Sequence, residues 1–212
     1  MWKNMALSAL LLGLFAVAGT FMVAFTAENT AQRIARNERE ALLENLHALV
    51  PPGRHTNELY RDRITVRSPL LGTRRPVSVY RARNSGEPVA AVLTPVAPEG
   101  YAGPIRLLVA INYDGTVAGV RVLSHKETPG LGDKIEANRS DWIYSFAGKS
   151  LSNPEPENWK VRKDGGAFDQ FTGATITPRA VVDAVYNTLR YFKQHRGELF
   201  EKPAITEGES NG

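Results

Sequence analysis

The chain contains no cysteine. That absence removes disulfides, thiolate-held iron–sulfur clusters, CxxCH haem attachment and any cysteinyl link to a cofactor. Redox work in such a chain needs a flavin or a similar group. Histidine is scarce: His47, His55, His125 and His195 are scattered without HExxH or any paired metal-ligand spacing, so no metal site is indicated. A block of one charge sign is also missing. The net charge is +4 and the isoelectric point about 9.4, but Lys and Arg are interspersed with Asp and Glu, which argues against a nucleic-acid partner. At 212 residues, 42% hydrophobic and 23% charged, the chain suits one globular domain plus an appendage.

The appendage is legible at the N-terminus. Met5 to Ala27 reads MALSALLLGLFAVAGTFMVAFTA without a charge, long enough to cross a bilayer as a helix at 1.5 Å per residue. A cleaved signal is the rival reading, with Ala16-Val17-Ala18 as its A-x-A site, but the apolar run continues well past that point. Residues 1–27 therefore read as a short N-terminus and a transmembrane helix in contact with lipid. Lys3 precedes the span, while Arg33, Arg36 and Arg39 follow it. The count of Lys and Arg favours a cytoplasmic C-terminal side, although long domains translocate largely regardless of charge.

Beyond the span, Ala31, Ile34, Ala35, Leu42, Leu46 and Leu49 recur at helical spacing until Pro51 and Pro52. Residues 28–75 read as a helical stalk followed by an irregular, Arg-rich connector from Arg54 to Pro76. Strand patterns begin at PVSVYRA and PVAAVLTPV, with Asn84, Ser85 and Gly86 as the turn between them. In IRLLVAINYDGTVAGVRVLSH, Leu107, Val109 and Ile111 alternate on one arm and Val117, Val120 and Val122 lie on the other. Asp114 and Gly115 form the turn. GDKIEANRSDWIYSF has a mixed helical pattern and LSNPEPENW is a Pro-broken loop, in which Glu155 and Glu157 read as solvated rather than catalytic. Val181, Val182, Val185, Leu189 and Phe192 form a helical stripe, with Thr177 as N-cap and Pro178 at the first helical position. Residues 203–212 form a polar, disordered tail. Strands followed by helices, without βαβ alternation, predict an α+β domain with an antiparallel sheet behind a single N-terminal transmembrane helix.

Two loops carry the candidate chemistry. The first, Ser124 to Glu136, contains Gly130-Leu131-Gly132, but the sixth position of a GxGxxG match is Ile135, so a dinucleotide fingerprint fails. A tight turn remains, whose glycines let backbone approach a partner closely, with His125, Glu127 and Thr128 beside it. The second is Thr172-Gly173-Ala174-Thr175-Ile176-Thr177, which ends against a helix start. Unpaired N–H groups and the positive end of the helix dipole make such a place a phosphate seat. The other reading is that Thr177 is a cap and the remaining threonines are turn residues satisfied by their own backbone.

Together, Asp169-x-x-Thr172-Gly173-Ala174-Thr175-x-Thr177 and His125-x-Glu127-Thr128-Pro129-Gly130-Leu131-Gly132 resemble the covalent FMN-binding domain of membrane electron pumps. With one span and this length, the chain is similar to the G subunits of the Rnf (Rsx) ion-translocating oxidoreductases, which makes 76–202 the FMN-binding domain. The resemblance implies that a flavin transferase takes FMN from FAD with Mg²⁺ and esterifies its phosphate to Thr175, with Asp169 as the acid of the transferase recognition motif. Thr172 stands where the family most often has Ser, a swap that keeps the hydroxyl. His125 to Gly132 would lie near the isoalloxazine, with Glu127 facing it and this loop serving the ring independently of the linkage. The resemblance also implies an inner-membrane protein whose flavin domain is periplasmic, against the charge count. Its role would be a relay among other Rnf subunits, in a complex that passes electrons between ferredoxin and NAD and moves Na⁺ or H⁺. The longer C subunits of the Na⁺-translocating NADH:quinone reductases, with the same threonine chemistry, and an unflavinylated membrane-anchored scaffold are the alternatives.

Overall fold

The computed structural model describes residues 2–205, apart from the side chains at 28, 29, 31, 32 and 35. Helix α1, Trp2–Leu49, is continuous and stops at the two prolines, which cannot donate to the helical ladder. Its Trp2–Ala27 stretch, with mean hydropathy 2.2, is long and apolar enough to span a membrane. Residues 1–43 form one compact unit and the chain from Glu44 a second. Of the stalk stripe, Ala31 and Ala35 fall outside the described side chains, Ile34 is exposed, and Leu46 and Leu49 are buried in the second unit.

That second unit is built on a wholly antiparallel sheet. Its strands are β1 (Arg63–Val66), β2 (Val77–Asn84), β3 (Glu87–Leu93), β4 (Val96–Ala97), β5 (Ile105–Asn112) and β6 (Val117–Ser124). β1 pairs with β2, β2 with β3, and β5 with both β3 and β6. β4 continues the line of β3 past Pro95 and pairs with the start of β5. The tight turn after β2 uses Ser85 and Gly86, both at positive φ, as a two-residue hairpin requires. Along β5, Leu107, Leu108, Val109, Ala110 and Ile111 are all fully buried, so the simple alternation expected there gives way to a strand covered on both faces.

Helix α2, Ile176–Glu201, supplies one cover. Its stripe of Val181, Val182, Val185, Leu189 and Phe192 joins Leu107, Val109, Ile111, Val117 and Val120 in the core. The last turns of α1 press on β6, where a Cβ at Gly119 would stand 2.8 Å from Leu49 Cδ2. The C-terminal end of α2 is clamped by β2. Arg81, 2% exposed, pairs with Asp62 and donates through Nη1 to the carbonyls of Leu199 at 3.0 Å and Lys202 at 2.5 Å. Arg83 donates to Phe200 O at 2.6 Å and to Asp62 at 2.9 Å. Helix-end carbonyls without intrahelical donors thereby gain cations at the negative end of the dipole.

Two expectations need correction and one gains detail. The connector is not irregular throughout: β1 completes the sheet and Leu59, Ile64, Val66 and Leu71 are buried, because their apolar faces find cover only in the folded unit. The mixed helical pattern of GDKIEANRSDWIYSF takes the form of two 3-10 helices, Gly132–Ile135 and Asp141–Phe146. In the tail, Ile205 N–H donates to Arg63 O at 2.8 Å on β1; residues 206–212, also read as disordered, lie outside the described residues.

Candidate functional site

The loop that feeds α2 is held from beneath by aromatic packing. Phe168 and Phe171 are buried, Trp142 meets Phe171 edge-on at 5.2 Å, and Phe146 stacks on Phe168 at 4.8 Å. Trp142 Nε1 donates to Asp169 O at 2.7 Å. Between these anchors the Asp169 side chain is exposed and pairs with Arg162 at 3.1 Å. Arg179, in the first turns of α2, makes two hydrogen bonds to Asp164 at 2.7 and 3.0 Å, which hold that carboxyl below its usual range. One turn further on, burial pushes Asp183 up. The loop is thus fixed on both sides while its tip stays accessible.

At the tip, Gly173 takes φ +83°, a left-handed conformation that favours glycine, and Ala174 N–H closes the turn onto Phe171 O at 3.1 Å. Thr172 is exposed and Thr175 half-buried. Thr175 is the N-cap of α2, yet its side chain makes no capping hydrogen bond. Backbone N–H groups of a first helical turn have no intrahelical acceptor. Those of Ile176 and Thr177 therefore face the same end as the Thr175 hydroxyl, and Pro178 has none to offer.

Thr177 is not the N-cap. The helix has already begun at Ile176, so Thr177 and Pro178 stand second and third within it, where a proline N–H would be spare in any case. Thr177 is fully buried, and its Oγ1 donates to Glu127 Oε2 at 2.5 Å. The two loops singled out from sequence are therefore bonded to each other. Glu127 Oε1 accepts from Ala102 N–H at 3.1 Å, which brings in a third loop that sequence reading passed over; its one signal was the pair Gly100 and Gly103 in EGYAGP. The close approach predicted for Gly132 is to the chain itself: a Cβ there would stand 2.6 Å from Glu127 Oε2 and 3.0 Å from Thr177 Oγ1.

The remaining members of the first loop divide. Leu131 and Gly132 N–H both reach Thr128 O at 3.1 Å, with Gly130 at φ +79°, which makes the expected tight turn. Leu131 Cδ2 lies 3.6 Å from where a Gly173 Cβ would be. With exposed Ile176, it gives the threonine loop an apolar border. His125 is committed elsewhere. Its Nδ1 accepts from Glu127 N–H at 2.9 Å, so the proton sits on Nε2, 2.5 Å from Glu136 Oε1. Both residues line a cavity of about 720 Å³ with Arg121 and Tyr144, which does not include the threonines. Asp133, next after Gly132, is buried with Oδ1 unpartnered. Among the described residues no group of His, Asp and Glu forms a metal site.

The donor set suits a phosphate group. It offers a free hydroxyl at the N-cap, two first-turn N–H groups, the dipole of a 26-residue helix and an apolar flank. Residues 100–190 match the model of an FMN-binding domain, and residues 1–49 match an RnfG N-terminal region. The chain is 46% identical over 202 residues to the G subunit of the ion-translocating oxidoreductase complex of Vibrio atlanticus, covering 95% of this chain and 97% of that one. It is 48% identical over 198 residues to the G subunit of the Pseudomonas aeruginosa complex, covering 93% and 92%. The corresponding G subunit of Shewanella piezotolerans is 46% identical over 208 residues, 98% of each chain.

Proposed function

Because the chain belongs to the family of G subunits of ion-translocating oxidoreductase complexes, we propose that it is a membrane-anchored electron relay whose FMN is esterified through its phosphate to Thr175. The observation that carries this reading is the uncommitted Thr175 hydroxyl at the N-terminus of α2. In maturation by a flavin transferase with FAD and Mg²⁺, the Thr175 Oγ would lose its proton and bond to the FMN phosphorus. The pyrophosphate bond would break and AMP would leave. FMN, once bound, supplies reversible one- and two-electron chemistry.

Each part of the site then has a task. Ile176 and Thr177 N–H, with the α2 dipole, stabilise the anionic diester. Leu131 and Ile176 provide apolar surface beside it. The exposed Arg162–Asp169 pair and Gln170 present the recognition edge to the transferase. An ester holds the cofactor whatever its redox state, which allows an open site. The proposed partners are the other subunits of the complex, exchanging electrons between ferredoxin and NAD, with the flavin domain on the periplasmic side of the inner membrane.

Thr175→Val tests the assignment, since it removes the hydroxyl and little else. Intact mass of the wild-type protein co-expressed with its transferase is expected to exceed that of the bare chain by one FMN ester. The variant should fold and lack that mass. A wild-type protein with the mass of the bare chain, colourless after denaturation, is the result expected of a scaffold and would overturn the proposal.

A further inference from the structure

Glu127 is 4% exposed, a costly place for a carboxylate. Three loops converge on it. Its oxygens accept from Thr177 Oγ1 on α2 and from Ala102 N–H. Side-chain atoms at Gly100 and Gly132 would come within 2.9 and 2.6 Å of those oxygens. Its own N–H is fixed by His125. Packing alone does not need the charge: an amide in the same place could accept from Ala102 N–H and donate to the Thr177 hydroxyl, which rotates to suit. What the acid adds is negative charge against the first turn of α2, two residues along the chain from Thr175.

We propose that Glu127 is a positioning and potential-setting residue. Through Thr177 it fixes the first turn of α2 relative to the Gly100–Gly103 and Thr128–Gly132 loops, and its charge disfavours reduction of the flavin held there. This rests on the Thr175 assignment. Reduction brings added negative charge to a flavin on Thr175, and a carboxylate with little access to water opposes that charge more strongly than an exposed one. The same charge offsets part of the positive end of the α2 dipole, which would otherwise make the flavin held there easier to reduce.

The test uses full-length protein matured by its transferase, with intact mass to report loading and a spectroscopic titration with dithionite to report the midpoint potential. Hydrogen exchange at the Ala102 amide reports the scaffold. Glu127→Gln should carry flavin on Thr175, keep Ala102 protected and show a raised midpoint potential. Glu127→Ala should lose protection at Ala102 and load less flavin. Thr177→Val keeps the shape but lets the carboxylate fall away from the first turn, so it should shift the potential in the same direction by less. Combined with Glu127→Gln, it should give a non-additive shift. An unchanged potential in the loaded Glu127→Gln protein overturns the proposal, as it does in loaded Thr177→Val should the Gln variant not fold. Wild-type protein without flavin would overturn this proposal together with the Thr175 assignment, whereas flavin that stays loaded at an unmoved potential overturns this one alone.

Discussion

Thr177 lies inside α2 with its hydroxyl pointed at a buried acid, and that placement changes the expected cost of losing it. A lost N-cap costs about 1 kcal/mol. Removing the hydroxyl from Glu127 leaves a buried carboxylate oxygen short of a donor, with a desolvation cost of about 1–3 kcal/mol or more. Thr177→Ala should therefore destabilise the domain by about 2 kcal/mol or more, read as a lower urea midpoint at unchanged slope. Sequence reading misplaced this residue because Thr-Pro before an apolar stripe is a good cap signal, while Ile176, one residue earlier, carries no such mark. Gly132 reads in sequence as a point of close approach to a partner, and in the fold the approach is to Glu127 and Thr177. Its partner could not be named, since Glu127 and Thr177 are 50 residues apart in the chain. For Ala102 the one local signal was the flanking pair Gly100 and Gly103, which marks a turn without naming what the turn meets.

At the scale of elements, the best-read pieces were those with their own turn chemistry. Asn84-Ser85-Gly86 and Asp114-Gly115 fix their hairpins by local conformation alone, and both appear where expected. β1 was missed because four residues, RITV, are too few to establish a period, and the arginines around it look solvated until the sheet is assembled. Two arginines, Arg81 and Arg83, show the same difficulty. In sequence they are charges on a strand; in the fold, with Asp62, they close the end of a helix that starts about 90 residues later in the chain. Removing one partner of a buried, hydrogen-bonded ion pair is costly, commonly about 3–5 kcal/mol. Arg81→Met should accordingly lower the unfolding free energy by about that amount, measured by urea unfolding of the domain. Arg83→Met, at a more solvated position, should cost less.

The whole molecule joins an apolar helix to a sheet domain, and the proposed periplasmic placement of that domain is a statement about the complete chain. Positive residues after the span, Arg33, Arg36 and Arg39, favour the opposite side, but a folded domain of this length is expected to translocate regardless. A reporter that is active only in the periplasm, fused after Gly212, should therefore be active in intact cells; an inactive fusion, with a cytoplasm-active reporter working at the same place, would reverse the assignment. Fold class was legible at this scale because the order of strands and helices requires no tertiary knowledge. The cover of the sheet at β6 was not, since it comes from the end of α1, where Leu49 reaches Gly119, and that end reads as a stalk. The clamp on α2 has a mechanical meaning as well. At 1.5 Å per residue, the 26 residues of α2 make a strut about 39 Å long, anchored at one end by arginines and carrying Thr175 at the other. A rigid strut transmits axial slip instead of absorbing it, so under the proposed attachment the arginines at its far end, together with the Glu127–Thr177 bond at its near end, would set the height at which the threonine hydroxyl is presented.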